Sequence, residues 1–220
     1  MRAMILAAGR GSRLRPLTDQ TPKPLLPLHG KPLIGHSLEQ LATSSVTHIV
    51  INLHHLGEQI EEYVSEHPLI RSGRLKVDFS HETELLETGG GIVKALPLLG
   101  EQPFWLLNGD IYSNFDFNRL PTQLAAHTAH IAVTPRPEYR EQGDFEVAAG
   151  RVTQRGNTWV YCGIATLQAS LFKPWLETGH FSLRDLYFNL IEAGGLYATE
   201  HRGRWHDIGT PAQYRELAGL

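Results

Sequence analysis

The chain opens on an unbroken apolar run, Ala3-Met4-Ile5-Leu6-Ala7-Ala8, which stops at Gly9. A run of that length suits a strand covered on both faces. Similar runs recur from His48 to Asn52, Leu75 to Phe79, Phe104 to Leu107 and His130 to Thr134, with stretches of helical period between them. Ile34, Leu38 and Leu41 share one helical face, as do Leu56, Ile60 and Val64, so each stretch would lay an apolar stripe on a sheet. Strands alternating with helices predict an α/β fold of βαβ units around a mostly parallel sheet.

Past Thr134 the pattern changes. Pro135-Arg136-Pro137 precedes short strand candidates at Phe145 to Ala148 and Thr158 to Thr166, which predict a small antiparallel lobe on the ligand side. A helix from Leu183 to Glu192, a strand near Leu196 to His201 and a closing helix from Pro211 follow. Earlier, the glycines at 89 to 91 are expected to open a helix from Ile92 to Leu96 and to allow close backbone contact there. Neither a repeat nor a linker interrupts the chain, so residues 1–220 are expected to form one domain, with a first part to about 134 and a second from about 135 to 220.

With 41% hydrophobic residues, 220 residues can bury a sizeable core without a bound group. A net charge of −3 argues against a general binder of nucleic acid or membrane surfaces. The apolar runs fall far short of spanning length and the N-terminus lacks a secretion-signal pattern, so a cytoplasmic protein is expected. Cys162, the only cysteine, lies in Val160-Tyr161-Cys162-Gly163-Ile164 and reads as a buried strand residue rather than a nucleophile. The histidines lack ligand spacing, so a zinc site is not expected.

Candidate chemistry gathers where the first strand ends, at Gly9-Arg10-Gly11-Ser12-Arg13-Leu14-Arg15-Pro16-Leu17-Thr18. Glycines permit positive φ, and amides freed at such a turn point at anions. Arg13 would add a planar fork, and Lys23, between Pro22 and Pro24, a compact charge on a restrained backbone. Two familiar phosphate loops are excluded by spacing: Ser12-Arg13 follows Gly11 where a Walker loop needs Gly-Lys-Ser/Thr, and Leu14 stands where the dinucleotide fingerprint needs its third glycine. Asn108-Gly109-Asp110 would fall on the same rim, at the carboxyl ends of the strands where ligands collect.

The string Gly9-x-Gly11-Ser12-Arg13-Leu14-x-Pro16-Leu17-Thr18, with Pro22-Lys23-Pro24, resembles the signature of the sugar-1-phosphate nucleotidylyltransferases. Glu87-Thr88-Gly89-Gly90-Gly91, Asn108-Gly109-Asp110, Gly143-Asp144-Phe145 and Trp205-His206-Asp207-Ile208-Gly209-Thr210 extend the likeness to the last helix. The resemblance implies a Rossmann-like, three-layer nucleotide-diphospho-sugar transferase fold, without the C-terminal β-helix whose hexapeptide repeats are absent here. It implies an enzyme that joins a sugar 1-phosphate to a nucleotide and releases pyrophosphate. Arg13, Lys23, Asp110 and Asp207 would be catalytic, with Asp110 and Asp207 holding Mg2+, an ion that takes one or two protein carboxylates beside substrate phosphates. Leu6, Ala8, Gly9, Gly11, Ser12, Arg13, Lys23, Glu87, Thr88, Gly89 and Asn108 would bind the nucleotide, and Asn108, Gly143, Asp144 and Gly163 the sugar. Partners would be small-molecule substrates, with no nucleic acid and no membrane, in a monomer or small homo-oligomer.

Within the family, the compact length, the Leu6-Ala7-Ala8-Gly9 opening, Leu86-Glu87-Thr88-Gly89-Gly90-Gly91, Asn108-Gly109-Asp110 and Gly143-Asp144-Phe145 together look most like the subfamily that moves UMP from UTP to N-acetylmuramic acid 1-phosphate in peptidoglycan recycling. Enzymes making UDP-glucose, dTDP-glucose or GDP-mannose, phospho-alcohol cytidylyltransferases, and a non-catalytic nucleotide-sugar sensor are the alternatives. Backbone groups reading a base leave almost no trace in side chains, so the base stays open. The chain departs from longer relatives at the sugar phosphate. Their Glu-Glu-Lys-Pro lysine has no counterpart in Arg151-Val152-Thr153-Gln154-Arg155-Gly156-Asn157, where Arg155 or Arg202 could serve instead. For a lactyl carboxylate, Arg136, Arg140, Arg155, Arg202 and Arg204 are all candidates.

Overall fold

A computed structural model describes residues 1–219. β1 (Arg2–Leu6) runs into the glycine turn, and a small ribbon, β2 (Pro27–Leu28) with β3 (Lys31–Pro32), leads to α1 (Leu33–Ala42). Then come β4 (His48–Leu53), α2 (Gly57–Glu66), α3 (Pro68–Arg71), β5 (Lys76–His81), α4 (Glu87–Leu99) and β6 (Phe104–Asn108). β5, β4, β1 and β6 lie side by side in parallel. Their apolar runs split by parity, as a two-residue side-chain period requires. Ala3, Ile5, Ile49, Ile51, Trp105 and Leu107 meet Ile34, Leu38, Ile60 and Val64 of α1 and α2 in one core. Met4, Val50, Phe104 and Leu106 meet Ile92, Ala95 and Leu99 of α4 in the other, which also takes in Leu183, Leu186 and Leu190 of α5 (Leu183–Glu192). Each fully buried aliphatic side chain here contributes on the order of 1.5–3 kcal/mol.

The second half supplies β7 (Ile111–Ser113), β8 (Ala129–Pro135), β9 (Phe145–Ala148), β10 (Arg151–Arg155), β11 (Trp159–Leu167), β12 (Leu196–Glu200), β13 (Trp205–Asp207) and α6 (Pro211–Ala218). The nine-stranded sheet runs β5-β4-β1-β6-β11-β8-β12-β10-β9, with β12 parallel to β8 and the other added pairs antiparallel. The segment expected to belong to a separate lobe, Thr158 to Thr166, is thus a central strand. The reason is its composition: Val160, Cys162 and Ile164 join one core while Ala165 and Leu167 join the other. Of the expected lobe, the β9–β10 hairpin, turned by Ala149 (φ 49°) and Gly150 (φ 74°), stands at the end of the sheet opposite β5. Burial pushes the Cys162 thiol pKa up, which keeps it an unreactive core group.

A third, smaller core fixes the phosphate-side turn. Leu14, Leu26, Leu28 and Leu33 pack with Tyr112, Ile208 and Tyr214, tying the segment after β1 to β7, β13 and α6. No helix among the described residues is long and apolar enough to cross a membrane.

Candidate active site

β1 delivers Ala7 and Ala8, both buried, to the open turn at Gly9. Gly11 adopts φ 61°, and an added Cβ would stand 2.9 Å from Thr18 Cγ2; the Thr18 hydroxyl donates to Gly11 O at 2.8 Å. Ser12–Leu14 then makes a single 3-10 turn with Leu14 anchored in the third core, so Arg13 projects from a fixed base. A second short turn, Lys23–Leu25, follows Pro22 and aims Lys23 inward. Its Nζ donates to Asp110 Oδ2 at 2.6 Å, with the lysine side chain only 11% exposed.

Asp110 follows β6. Register pairs Leu6 with Asn108, and Gly109 N–H donates to Leu6 O at 2.9 Å. A Cβ on Gly109 would come within 2.6 Å of that oxygen. Gly109→Ala is therefore expected to push Asp110 off Lys23, with a destabilisation of about 1–3 kcal/mol seen in denaturant melts and a larger proportional loss of turnover.

Asp207 arrives from the other end of the chain. The β7–β13 ribbon pairs it with Ile111, and Ile208 N–H donates to Asp110 O at 3.2 Å, so Asp207, the last residue of β13, stands beside Asp110 in the turn that leads into β7. Burial and the Asp110 charge raise the Asp207 pKa, while Lys23, Arg140 and Arg13 oppose the shift. Gly209 leaves room for Arg13, whose Nη1 would lie 3.2 Å from a Cβ at that position. Arg13, Lys23, Asp110 and Asp207, spread over the whole sequence, therefore converge.

This cluster forms the waist of a two-part cleft. A hollow of ≈ 500 Å³ lies between the glycine turn and Leu85, Glu87 and Thr88, with Leu6, Ala8, Ser12 and Asn108 in its wall. A second of ≈ 920 Å³ is walled by Arg140, Gly143, Asp144, Arg155, Tyr161, Gly163 and Tyr187, with Asp207 at its edge. Arg13, Thr88, Asn108, Asp110, Ser182 and Arg184 border both. Such volumes fit small organic ligands.

One expected wall residue turns away. Gly89 lies inside α4, which starts at Glu87 rather than after the glycines, and the amides of Gly89 and Gly90 donate to Phe181 O at 2.9 and 3.2 Å. The Phe181 ring fills the space a Gly89 Cβ would need, so these glycines let α4 pack closely on the segment that leads into α5. Thr88 has a structural task as well, its hydroxyl accepting from Leu183 N–H at 2.9 Å.

On the larger side, Asp144, just ahead of β9, is tied to β11: its Oδ2 accepts from Tyr161 N–H at 2.9 Å. Gly163 (φ 72°) sits where β11 shifts register and brings Asn108 and Ile111 against the strand. Of the five arginines offered by sequence, Arg140 and Arg155 reach the hollow, with Arg155 over the Phe188 ring at 4.6 Å. Arg202 pairs with Glu200 at 2.9 Å, Arg136 Nε donates to Asn157 O at 3.0 Å, and Arg204 covers the Tyr112 ring at 4.9 Å. Sequence reasoning passed over Arg184, Asn52 and the phenols of Tyr161 and Tyr187, which are 3.0 Å apart and held protonated by burial.

Comparison with known proteins places this geometry. Residues 2–150 match the nucleotidyl transferase family. Over 232 residues the chain is 37% identical to the N-acetylmuramate alpha-1-phosphate uridylyltransferase of Neisseria meningitidis, covering 100% of this chain and 98% of that one. It is 31% identical to the mannose-1-phosphate guanyltransferase beta-A of Xenopus laevis, covering 100% of this chain but 64% of that longer relative. The crystal structure of HddC from Yersinia pseudotuberculosis superposes with a TM-score of 0.79 at 24% identity, over 99% of this chain and 98% of that one, a likeness of fold. The family match runs through the glycine turn, Lys23 and Asp110, and the chain belongs to the nucleotidyl transferase family.

Proposed function

We propose that this protein transfers UMP from UTP to N-acetylmuramic acid 1-phosphate, forming a nucleotide sugar and pyrophosphate. The observation that carries the reading is the waist itself: two cations and two carboxylates between a smaller and a larger hollow, where two anionic substrates can meet. The nucleotide takes the smaller hollow, its phosphates along the amides of Gly11 and Ser12. An oxygen of the sugar phosphate attacks the α-phosphorus in line. The bond from that phosphorus to the bridging oxygen breaks, and its electron pair leaves on pyrophosphate.

A sugar phosphate is already largely dianionic at neutral pH, with a second pKa of roughly 6, so no general base is needed. The chain's work is alignment and charge stabilisation: Arg13 and Lys23 balance the departing pyrophosphate. Asp110, in the turn before β7, and Asp207, at the end of β13, are hard oxygen donors held side by side, and no third His, Cys, Asp or Glu joins them among the described residues. That donor set fits Mg2+, which when bound supplies charge neutralisation between the reacting phosphates.

The substrate assignment draws on the uridylyltransferase relative and on the larger hollow. Arg140, whose charge favours ionised Asp207, takes the sugar phosphate in place of the missing lysine. Arg155 takes the lactyl carboxylate, and the second oxygen of Asp144 a sugar hydroxyl. In this reading the product feeds cytoplasmic peptidoglycan recycling. The test is pyrophosphate release across UTP, dTTP, GTP and CTP paired with the 1-phosphates of N-acetylmuramic acid, glucose and mannose. UTP with N-acetylmuramic acid 1-phosphate should give the highest kcat/KM, at least about tenfold above other pairs, a difference of ~1.4 kcal/mol. A higher value for a different base or sugar overturns the assignment.

A further inference from the structure

Beneath the smaller hollow lies a buried polar bridge that the proposed chemistry does not use. Asn52, near the end of β4, is 3% exposed, and Glu82, just past β5, is 6% exposed. Asn52 Oδ1 accepts from Ala7 N–H at 2.8 Å, where β1 has ended and the sheet offers that amide no partner. Asn52 Nδ2 donates to Glu82 Oε1 at 2.7 Å, and Glu82 Oε2 accepts from Leu86 N–H at 3.1 Å, one residue before α4. Each contact has a single donor and a single acceptor, which fixes the orientation of the Asn52 amide. A Cβ on Gly91 would come within 2.7 Å of Glu82 Oε1 and 2.8 Å of Asn52 Nδ2, so the glycine in α4 leaves space for the bridge.

The bridge joins the two walls of the hollow. Ala7 and Ala8 belong to one wall, Leu85, Glu87 and Thr88 to the other, and Asn52 itself lines the floor. Burying a carboxylate and an amide costs several kcal/mol unless every partner is made, and among the described residues no buried side-chain polar atom lacks one. Glu87 follows at φ 60°, a backbone state that a non-glycine residue keeps only when its surroundings hold it. We propose that Asn52 and Glu82 are positioning residues that set the spacing between the glycine turn and the Leu85–Thr88 segment, and so determine nucleotide affinity.

This inference rests on the nucleotide occupying the smaller hollow, and the test separates the two ideas. Steady-state kinetics use whichever triphosphate the wild-type chain turns over fastest, so a wrong base assignment does not affect the outcome. Asn52→Asp sets two buried carboxylates against each other, and Glu82→Gln sets an amide donor against a donor. Each is expected to raise the nucleotide KM at least about tenfold with kcat changed less than about threefold and the sugar-phosphate KM unmoved. In the Asn52→Asp/Glu82→Gln double variant every bond is restored. The carboxylate at position 52 accepts from Ala7 N–H and from the new amide at 82, whose carbonyl accepts from Leu86 N–H. The nucleotide KM should return to within about threefold of wild type.

A double variant no better than the worse single, or singles that lower kcat and leave the nucleotide KM alone, would overturn the proposal. Should either single fail to fold, Gly91→Ala carries the test. It presses a methyl on both side chains without removing a polar group, and the same nucleotide-only rise in KM is expected; an unchanged KM counts against the proposal.

Discussion

Asp110→Asn and Asp207→Asn should each lower kcat/KM by roughly 10³-fold or more, the scale of several kcal/mol of lost charge stabilisation at the reacting phosphates. Both variants should keep the fold, but their stabilities should differ. Asp207 is half-buried and lies beside Asp110, and both effects raise its native pKa above the ordinary carboxylate value. For an acid whose folded pKa is raised, the ionised form is the less stable one in the native state. Its cost is absent below the ordinary pKa and grows as pH rises from that value through the raised one. Asp207→Asn removes the cost, so thermal melts at neutral pH should show a stability equal to or above wild type, with the gap closing under acid conditions. Asp110→Asn has no such gain, because it removes the negative charge that pairs with the Lys23 ammonium at 2.6 Å. Near-normal rates in magnesium for either variant would remove these residues from the proposed metal site. A melt far below wild type for Asp207→Asn would refute its role as a strained, functional carboxylate.

The parts legible in the sequence are those where one physical rule acts locally. The runs at Ala3–Leu6, His48–Asn52 and Phe104–Leu107 are strands because an apolar run without polar interruption has nowhere to lie but between two helical layers. The glycine turn and Lys23 were readable because phosphate binding demands positive φ, free amides and fixed cations within a short segment. What stayed hidden depends on partners far off in the chain. Gly89-Gly90-Gly91 looks like a flexible run until Phe181 and Gly179 are seen packed against it. β10 carries one buried apolar residue, Val152, too little for an alternating signal, and becomes a strand because β9 and β12 flank it. In α5, Leu183, Leu186, Tyr187 and Leu190 keep an ordinary core spacing, and nothing local distinguishes Tyr187 as a residue that also faces the cleft. Asn52 reads as the polar end of a strand, since its partners are Ala7 and Glu82.

Lys23→Ala is expected to give the second large loss, about 10²–10³-fold in kcat, comparable to removing a preorganised donor from a charge-stabilising site. The nearly buried ammonium serves both the substrate and the resting protein: it would balance phosphate charge, and it keeps Asp110 and Asp207 tolerable as neighbours. Without it the two carboxylates repel with less compensation, so Lys23→Ala should also destabilise the fold, unlike Asp207→Asn. Lys23→Arg should recover stability better than rate. A guanidinium can still reach Asp110, but its planar fork cannot put a point charge where the Lys23 Nζ now sits. The pair should be strongly non-additive. Lys23→Ala/Asp110→Asn is expected to be little slower than the slower single, since both remove parts of one electrostatic unit. Single-turnover pyrophosphate release, with melts run in parallel, separates these effects. If the double variant instead shows the product of the two single losses, Lys23 and Asp110 act independently and the waist is not one unit.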